Sequence, residues 1–233
     1  MQKYGSRLYL PRYPFFQLIT LFRIDYNDVL HYQLPEYDLV VMRNEVRQSL
    51  FFDISLYNPS VHQDDDRYIE QVSFLEAVQF ANQLSVHEGL ENCYNLDGQD
   101  IFWIKGVHCN GWRLATYFEW STITKTPLPS PEEVDRVLWY INPTSSEQRT
   151  KETCSQEHQL CGTRDGAWEW IWDEIRVSKE TSGDFSNVRS AVGGDFHLMG
   201  EPSVVYRFQL KEDFSSPHLT FRLVRSQFRE TSK

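Results

Sequence analysis

Gly111-Trp112-Arg113-Leu114-Ala115-Thr116-Tyr117-Phe118-Glu119-Trp120 is the stretch on which the fold reading turns. Thr116 followed three residues later by Glu119 is a capping box, in which hydroxyl and carboxylate each satisfy an amide that the first turn of a helix leaves unpaired. The spacing therefore predicts a helix carrying Trp120 and Ile123, stopped by Pro127. Arg113 reads as structural, because a planar guanidinium can tie several carbonyls together where a lysine cannot.

Working outward, Ser73 with Glu76 repeats the signature, and Ala77, Phe80, Ala81 and Leu84 then fall on one face until Gly89 ends the pattern. Leu50, Phe51 and Ile54 stand at helical spacing between Gln48 and Ser55, ahead of the turn Asn58-Pro59-Ser60. Ser130-Pro131-Glu132-Glu133 signals a further short helix. Strands are expected before residue 42, for example around Leu8-Tyr9-Leu10, Phe15 to Phe22 and Tyr37 to Met42, and later at Val204 to Leu210 and Thr220 to Val224. Two main helices, short strands and long irregular loops make the class α+β rather than alternating βαβ.

The chain has 233 residues, 40% of them hydrophobic, enough for one sizeable core. Its formal charge of -10 disfavours nucleic acid and anionic membrane surfaces. Phe15 to Phe22 is too short to span a bilayer, so no membrane insertion is expected. Cys93, Cys109, Cys154 and Cys161 show no C-x-x-C pairing or zinc-finger histidine spacing. They read as thiols of a reducing compartment, hence a cytoplasmic location. Cys154 with Cys161 is the expected disulfide if the protein is exported, as it could be if a segment preceding this chain has been removed.

Several ordered strings resemble the formylglycine-generating enzyme, or sulfatase-modifying factor, family, a variant of the C-type lectin fold. They are Asp65-Asp66-Arg67 with Glu70-Gln71-Val72-Ser73-Phe74, then Cys93-Tyr94-Asn95-Leu96-Asp97-Gly98, the stretch Gly111 to Trp120, Gly166-Ala167-Trp168-Glu169-Trp170, and Phe221-Arg222-Leu223-Val224-Arg225. The resemblance implies one domain over residues 43–226, with residues 1–42 as strands of the same domain and 227–233 as a tail. Its catalytic members use a cysteine pair near the C-terminal end to hold copper, but here Arg176 to Asn187 contains no cysteine, and none follows Cys161. Serine is not a soft copper ligand, so no copper and no family oxidase activity are expected.

The resemblance also implies a structural calcium at the Gly166 to Trp170 loop, with Asp165, the Ala167 carbonyl and Glu169 as hard oxygen ligands. The alternative is that Glu169 pairs with an arginine. Trp120, Trp168, Trp170 and Phe221 read as core aromatics, and Arg222 as a structural fork like Arg113. His31, His62, His87, His108, His158, His197 and His218 are scattered, without metal-ligand spacing. Asp64-Asp65-Asp66 reads as a solvated turn.

Residues 183–200 replace the family's catalytic cleft and offer Phe185, Asn187, Arg189, Phe196, His197 and Met199 as a candidate binding surface. The expectation is a non-catalytic module that binds a protein or peptide in a regulatory or scaffolding role. The alternatives are a retroelement-diversified variable protein of C-type lectin fold and a metal-dependent oxidoreductase with a relocated site.

Overall fold

The computed structural model describes residues 28–98, 100–125, 159–163, 167–173, 188–193 and 206–228. Strands β1 (Val29–Gln33) and β2 (Asp38–Met42) pair antiparallel, with Val29 opposite Met42. In β2, Val40 and Met42 enter one hydrophobic cluster while Leu39 and Val41 enter another. A strand covered on both faces needs the continuous apolar run Leu39-Val40-Val41-Met42 rather than alternation.

Helix α1 (Gln48–Ser55) buries Phe51 and ends where Leu56 turns left-handed and donates its amide to the Phe52 carbonyl. Helix α2 (Phe74–His87) starts at the expected capping box and lays Phe74, Ala77, Phe80, Ala81 and Leu84 into the first cluster. Phe51 stacks on Phe80 with 5.0 Å between centroids, joining the two helices. The Ser130 helix signal and the strand expected at Phe15 to Phe22 lie outside the described residues.

The hairpin β3 (Tyr94–Asp97) and β4 (Asp100–Trp103) follows, then β5 (Arg113–Leu114) and α3 (Tyr117–Thr124). Both arms of the Thr116/Glu119 box are present, and the helix ends at Thr124, with Lys125 left-handed, ahead of Pro127. Gly111 allows a close approach before β5: a Cβ there would lie 2.0 Å from the Glu91 carbonyl oxygen. The next amide, on Trp112, donates to Ser85 Oγ at 2.8 Å, docking β5 on α2.

Strands β6 (Trp168–Ile171), β7 (Val188–Gly193) and β8 (Tyr206–Lys211) precede β9 (Leu219–Phe221) and β10 (Leu223–Gln227). One four-stranded sheet runs β1-β2-β10-β5 and the other β8-β7-β6-β9. The single strand expected over Thr220 to Val224 is corrected: the chain breaks at Arg222 and changes sheet. β9 runs parallel to β6, whereas β10 runs antiparallel to β2 and β5. The break comes where the Arg222 side chain is drawn into the interior.

The reading of the cysteines as thiols is also corrected. Cys93 and Cys109 form a disulfide across the base of the β3–β4 hairpin, both sulfurs packed in the core, and Cys161 is disulfide-bonded as well. Cys154 lies outside the described residues. Spacing gave no sign of the Cys93–Cys109 pair, because the intervening hairpin doubles the chain back.

The Cys93–Cys109 bridge closes a loop of 16 residues, so the double substitution Cys93→Ser, Cys109→Ser is expected to cost about 3 kcal/mol. Urea unfolding of the two proteins at equal pH measures this directly.

Candidate functional site

Two buried guanidinium groups organise the charged interior. Arg113 on β5 donates through Nη1 to Glu119 Oε2 at 2.8 Å and through Nη2 to Oε1 at 2.6 Å, both side chains fully enclosed. Tyr37 donates its hydroxyl to Glu119 Oε1 at 2.6 Å, and Arg113 Nη2 also reaches Ser226 Oγ at 2.8 Å. Burial opposes ionisation of Glu119, but the Arg113 hydrogen bonds and charge, helped by Tyr37 and the Thr116 amide, outweigh it and hold the carboxyl below its usual range.

Arg222 makes the second node. Its Nη1 donates to the Met42 carbonyl at 3.0 Å and to the Arg43 carbonyl. Its Nη2 donates to the Cys161 carbonyl at 2.5 Å and to Glu169 Oε1 at 2.8 Å. Nε lies 3.2 Å from each Glu169 oxygen, and Glu45 Oε2 sits 3.4 Å from Nη2. Trp120 Nε1 donates to Glu169 Oε2 at 3.2 Å. Both arginines are therefore structural forks, as expected from the sequence, although carboxylates join the expected carbonyls as acceptors, and at Arg113 Glu119 takes the larger share. Trp120, Trp168, Trp170 and Phe221 are buried with them.

Of the residues expected at a calcium loop, Asp165 lies outside the described set. Ala167 and Glu169 are both buried at the start of β6. Glu169 spends both oxygens on Arg222 and Trp120, the ion-pair arrangement that was the alternative to metal ligation. Among the described residues no group of three or more His, Cys, Asp or Glu side chains gathers as a metal site. Asp64 accepts the Asp66 amide at 3.1 Å, so the acidic run forms a tight exposed turn.

Of the candidate binding surface, Phe185, Asn187, Phe196, His197 and Met199 lie outside the described residues. Arg189 lies in β7, where it is 7% exposed. It pairs with Glu212 at 2.7 Å and stacks over Phe74 and Trp172, at 4.9 and 4.8 Å from their centroids. Its guanidinium is thus committed inside an aromatic cluster in which Trp172 stacks on Tyr94 at 5.0 Å and meets Trp103 edge-on at 5.1 Å.

A surface feature that the sequence reading did not single out is the β3–β4 hairpin. Tyr94 opposes Trp103 and Leu96 opposes Ile101 on one face; Asn95 opposes Phe102 and Asp97 opposes Asp100 on the other. Phe102 is 50% exposed, and Ile104, just past the strand, is 67% exposed. The hairpin's base is fixed by the disulfide and by the Lys105–Glu91 ion pair. Asp97-Gly98, with Gly98 at φ 62, is a hairpin-turn signal that could have located it.

The architecture is α+β of the C-type-lectin-like class. No family model matches the chain. It is similar to Treponema denticola variable protein 1 (TM-score 0.60, 21% identity, covering 82% of this chain and 85% of that one). It also resembles CarF (TM-score 0.58, 16% identity, 86% and 96% covered) and PvdO from Pseudomonas aeruginosa (TM-score 0.52, 11% identity, 82% and 81% covered). In sequence it is 28% identical over 123 residues to chaperone protein LppX of Paenibacillus barcinonensis, and the match spans 44% of each protein. These likenesses establish the fold, and no helix among the described residues is long and apolar enough to cross a membrane.

Two predictions follow from the buried charges. Arg222→Met strands the Glu169 carboxylate in the interior and is expected to cost about 3–5 kcal/mol in urea unfolding. Glu70, wholly buried, accepts the His62 amide at 3.0 Å through Oε1, while Oε2 has no hydrogen-bond partner among the described residues. Burial raises its carboxyl above the ordinary 4.5, against the opposing pull of the His62 amide. A raised folded-state value means that ionisation opposes folding, so the wild type loses stability as pH rises from 4.5 through that value. Glu70→Gln is expected to melt higher than wild type at pH 7, the gain vanishing below pH 4.5, in parallel thermal scans across pH.

Proposed function

We propose that the chain is a non-catalytic binding module of C-type-lectin-like fold that takes a protein or peptide partner in a regulatory or scaffolding role. The observation that carries this reading is the pair Phe102 and Ile104, exposed on a hairpin whose base is covalently and electrostatically tied down. Large apolar side chains on a rigid element lose little conformational freedom on binding, which is what an interface anchor needs. Asp97 and Asp100, paired across the same face, favour a partner that brings positive charge. The Gly183 to Gly200 segment remains part of the proposed surface, apart from Arg189, whose guanidinium is already engaged.

Affiliation with the formylglycine-generating enzyme family rests on the quoted strings. The absence of cysteine beyond Cys161 supports the non-catalytic reading within that family. The disulfides at Cys93–Cys109 and Cys161 support work in an oxidising compartment instead of the cytoplasm. The likeness to Treponema denticola variable protein 1 favours a second reading, a retroelement-diversified ligand binder. A near-identical template copy of the 3′ end of the coding DNA, differing mainly at adenines, is its expected mark, and absence of one rules it out.

For the main reading, tagged protein recovered from native lysate is expected to carry a near-stoichiometric protein partner, quantified by mass spectrometry. Phe102→Ser with Ile104→Ser is expected to reduce that recovery about tenfold or more without lowering the melting temperature. Partner loss on addition of a calcium chelator would support the cation site at Asp165, Ala167 and Glu169. Bound iron or copper with no protein partner would support a relocated oxidoreductase site instead.

A further inference from the structure

Arg207 on β8 carries a guanidinium that the fold orients without neutralising. Its central carbon lies 4.5 Å from the Tyr117 ring centroid, which fixes the plane of the group. Nε and Nη2 each reach Ser190 Oγ at 3.3 Å, two long bonds sharing one hydroxyl. A guanidinium has five N–H donors. Nη1 is left with no acceptor, Nη2 with one N–H to spare, and Arg207 with no ion-paired carboxylate, among the described residues. The residue is partly buried, yet none of its nitrogens is a buried polar atom without a partner, so the Nη1 side is not sealed in the interior.

Asp173, just beyond β6, supplies the nearby opposite charge. Its carboxylate accepts the Tyr117 amide at the start of α3, and its backbone carbonyl accepts the Ser190 amide at 3.2 Å. The carboxylate is thereby pinned to the helix and Arg207 to the Ser190–Tyr117 corner. Each feels the other's charge, but they make no ion pair. Burial pushes the Asp173 carboxyl up and the Arg207 guanidinium down, so both charged forms are short of solvation. A structural ion pair of this kind repays desolvation only by contact, and here the contact is missing.

We propose that Arg207, Asp173, Ser190 and Tyr117 form a binding site for a small zwitterion of the α-amino-acid type. Its carboxylate lies on the Nη1/Nη2 edge of Arg207, where planar fork and planar carboxylate match bidentately. Its ammonium lies against the Asp173 carboxylate. A simple anion would be repelled by Asp173 and a simple cation by Arg207, whereas a zwitterion satisfies both in one molecule. The site goes beyond the protein-binding reading and does not depend on it.

The test is calorimetric titration of the full chain with the common α-amino acids one at a time, followed by the N-acetyl and carboxamide derivatives of the tightest. At least one amino acid is expected to bind with a Kd of about a millimolar or below. Arg207→Gln, and each blocked derivative on the wild-type protein, are expected to weaken binding about tenfold or more. Arg207→Lys, which keeps charge but loses the fork, is expected to fall between. Thermal unfolding of Arg207→Gln separates loss of the site from loss of fold, and the blocked derivatives test the site without any substitution. No binding by any amino acid, undiminished binding to folded Arg207→Gln, or a blocked derivative that binds as well as its parent would each overturn the proposal.

Discussion

The guanidinium of Arg222 is the constraint on which the described structure depends. Removing a cation from water costs several kcal/mol, repaid only when every donor finds an acceptor in good geometry. Those acceptors come from far apart in the chain: the Met42 and Arg43 carbonyls at the end of β2, the Cys161 carbonyl, and Glu169 on β6. Arg222 is also the residue at which the backbone leaves one sheet for the other. One side chain therefore sets how β9 and β10 divide and holds β6 against the end of β2. Glu169, in turn, ties α3 to the same point through Trp120.

The parts of the fold legible in the sequence were those with local causes. The capping boxes at Ser73/Glu76 and Thr116/Glu119 need only four consecutive residues, and both helices begin where those residues place them. The structural roles of Arg113 and Arg222 were legible because few environments other than a cluster of oxygens accept a buried guanidinium. The break at Arg222 was not, since its cause sits at residues 42, 43, 161 and 169. Arg189 was misplaced for a related reason. A segment with no clear period reads as loop, but residues 188–193 form a strand whose register turns position 189 toward Phe74 and Trp172.

Among the described residues, the fully buried and charge-shifted Glu119 is tied into the framework. Glu119 is held low by Arg113 and Tyr37 and is wholly enclosed. Perturbed ionisation marks catalytic sites only when the group can meet something from outside. Side chains open to a partner lie elsewhere: Phe102 and Ile104 at the β3–β4 hairpin and, in the proposal above, the Arg207 corner where β7, β8 and the start of α3 meet. Such a division leaves those positions open to change while the arginine nodes preserve the scaffold.

The pairing of β2 with β10 has a consequence for biosynthesis. Val41 lies opposite Val224, so an early strand meets its central neighbour only after almost all the chain between them has been made. Until then, one edge of a strand that is apolar from Leu39 to Met42 waits without its ladder partner. Contacts so distant in sequence slow folding and prolong exposure of sticky intermediates. A ribosome-bound chain halted before residue 223 would lack β10 and so could not close the sheet between β2 and β5.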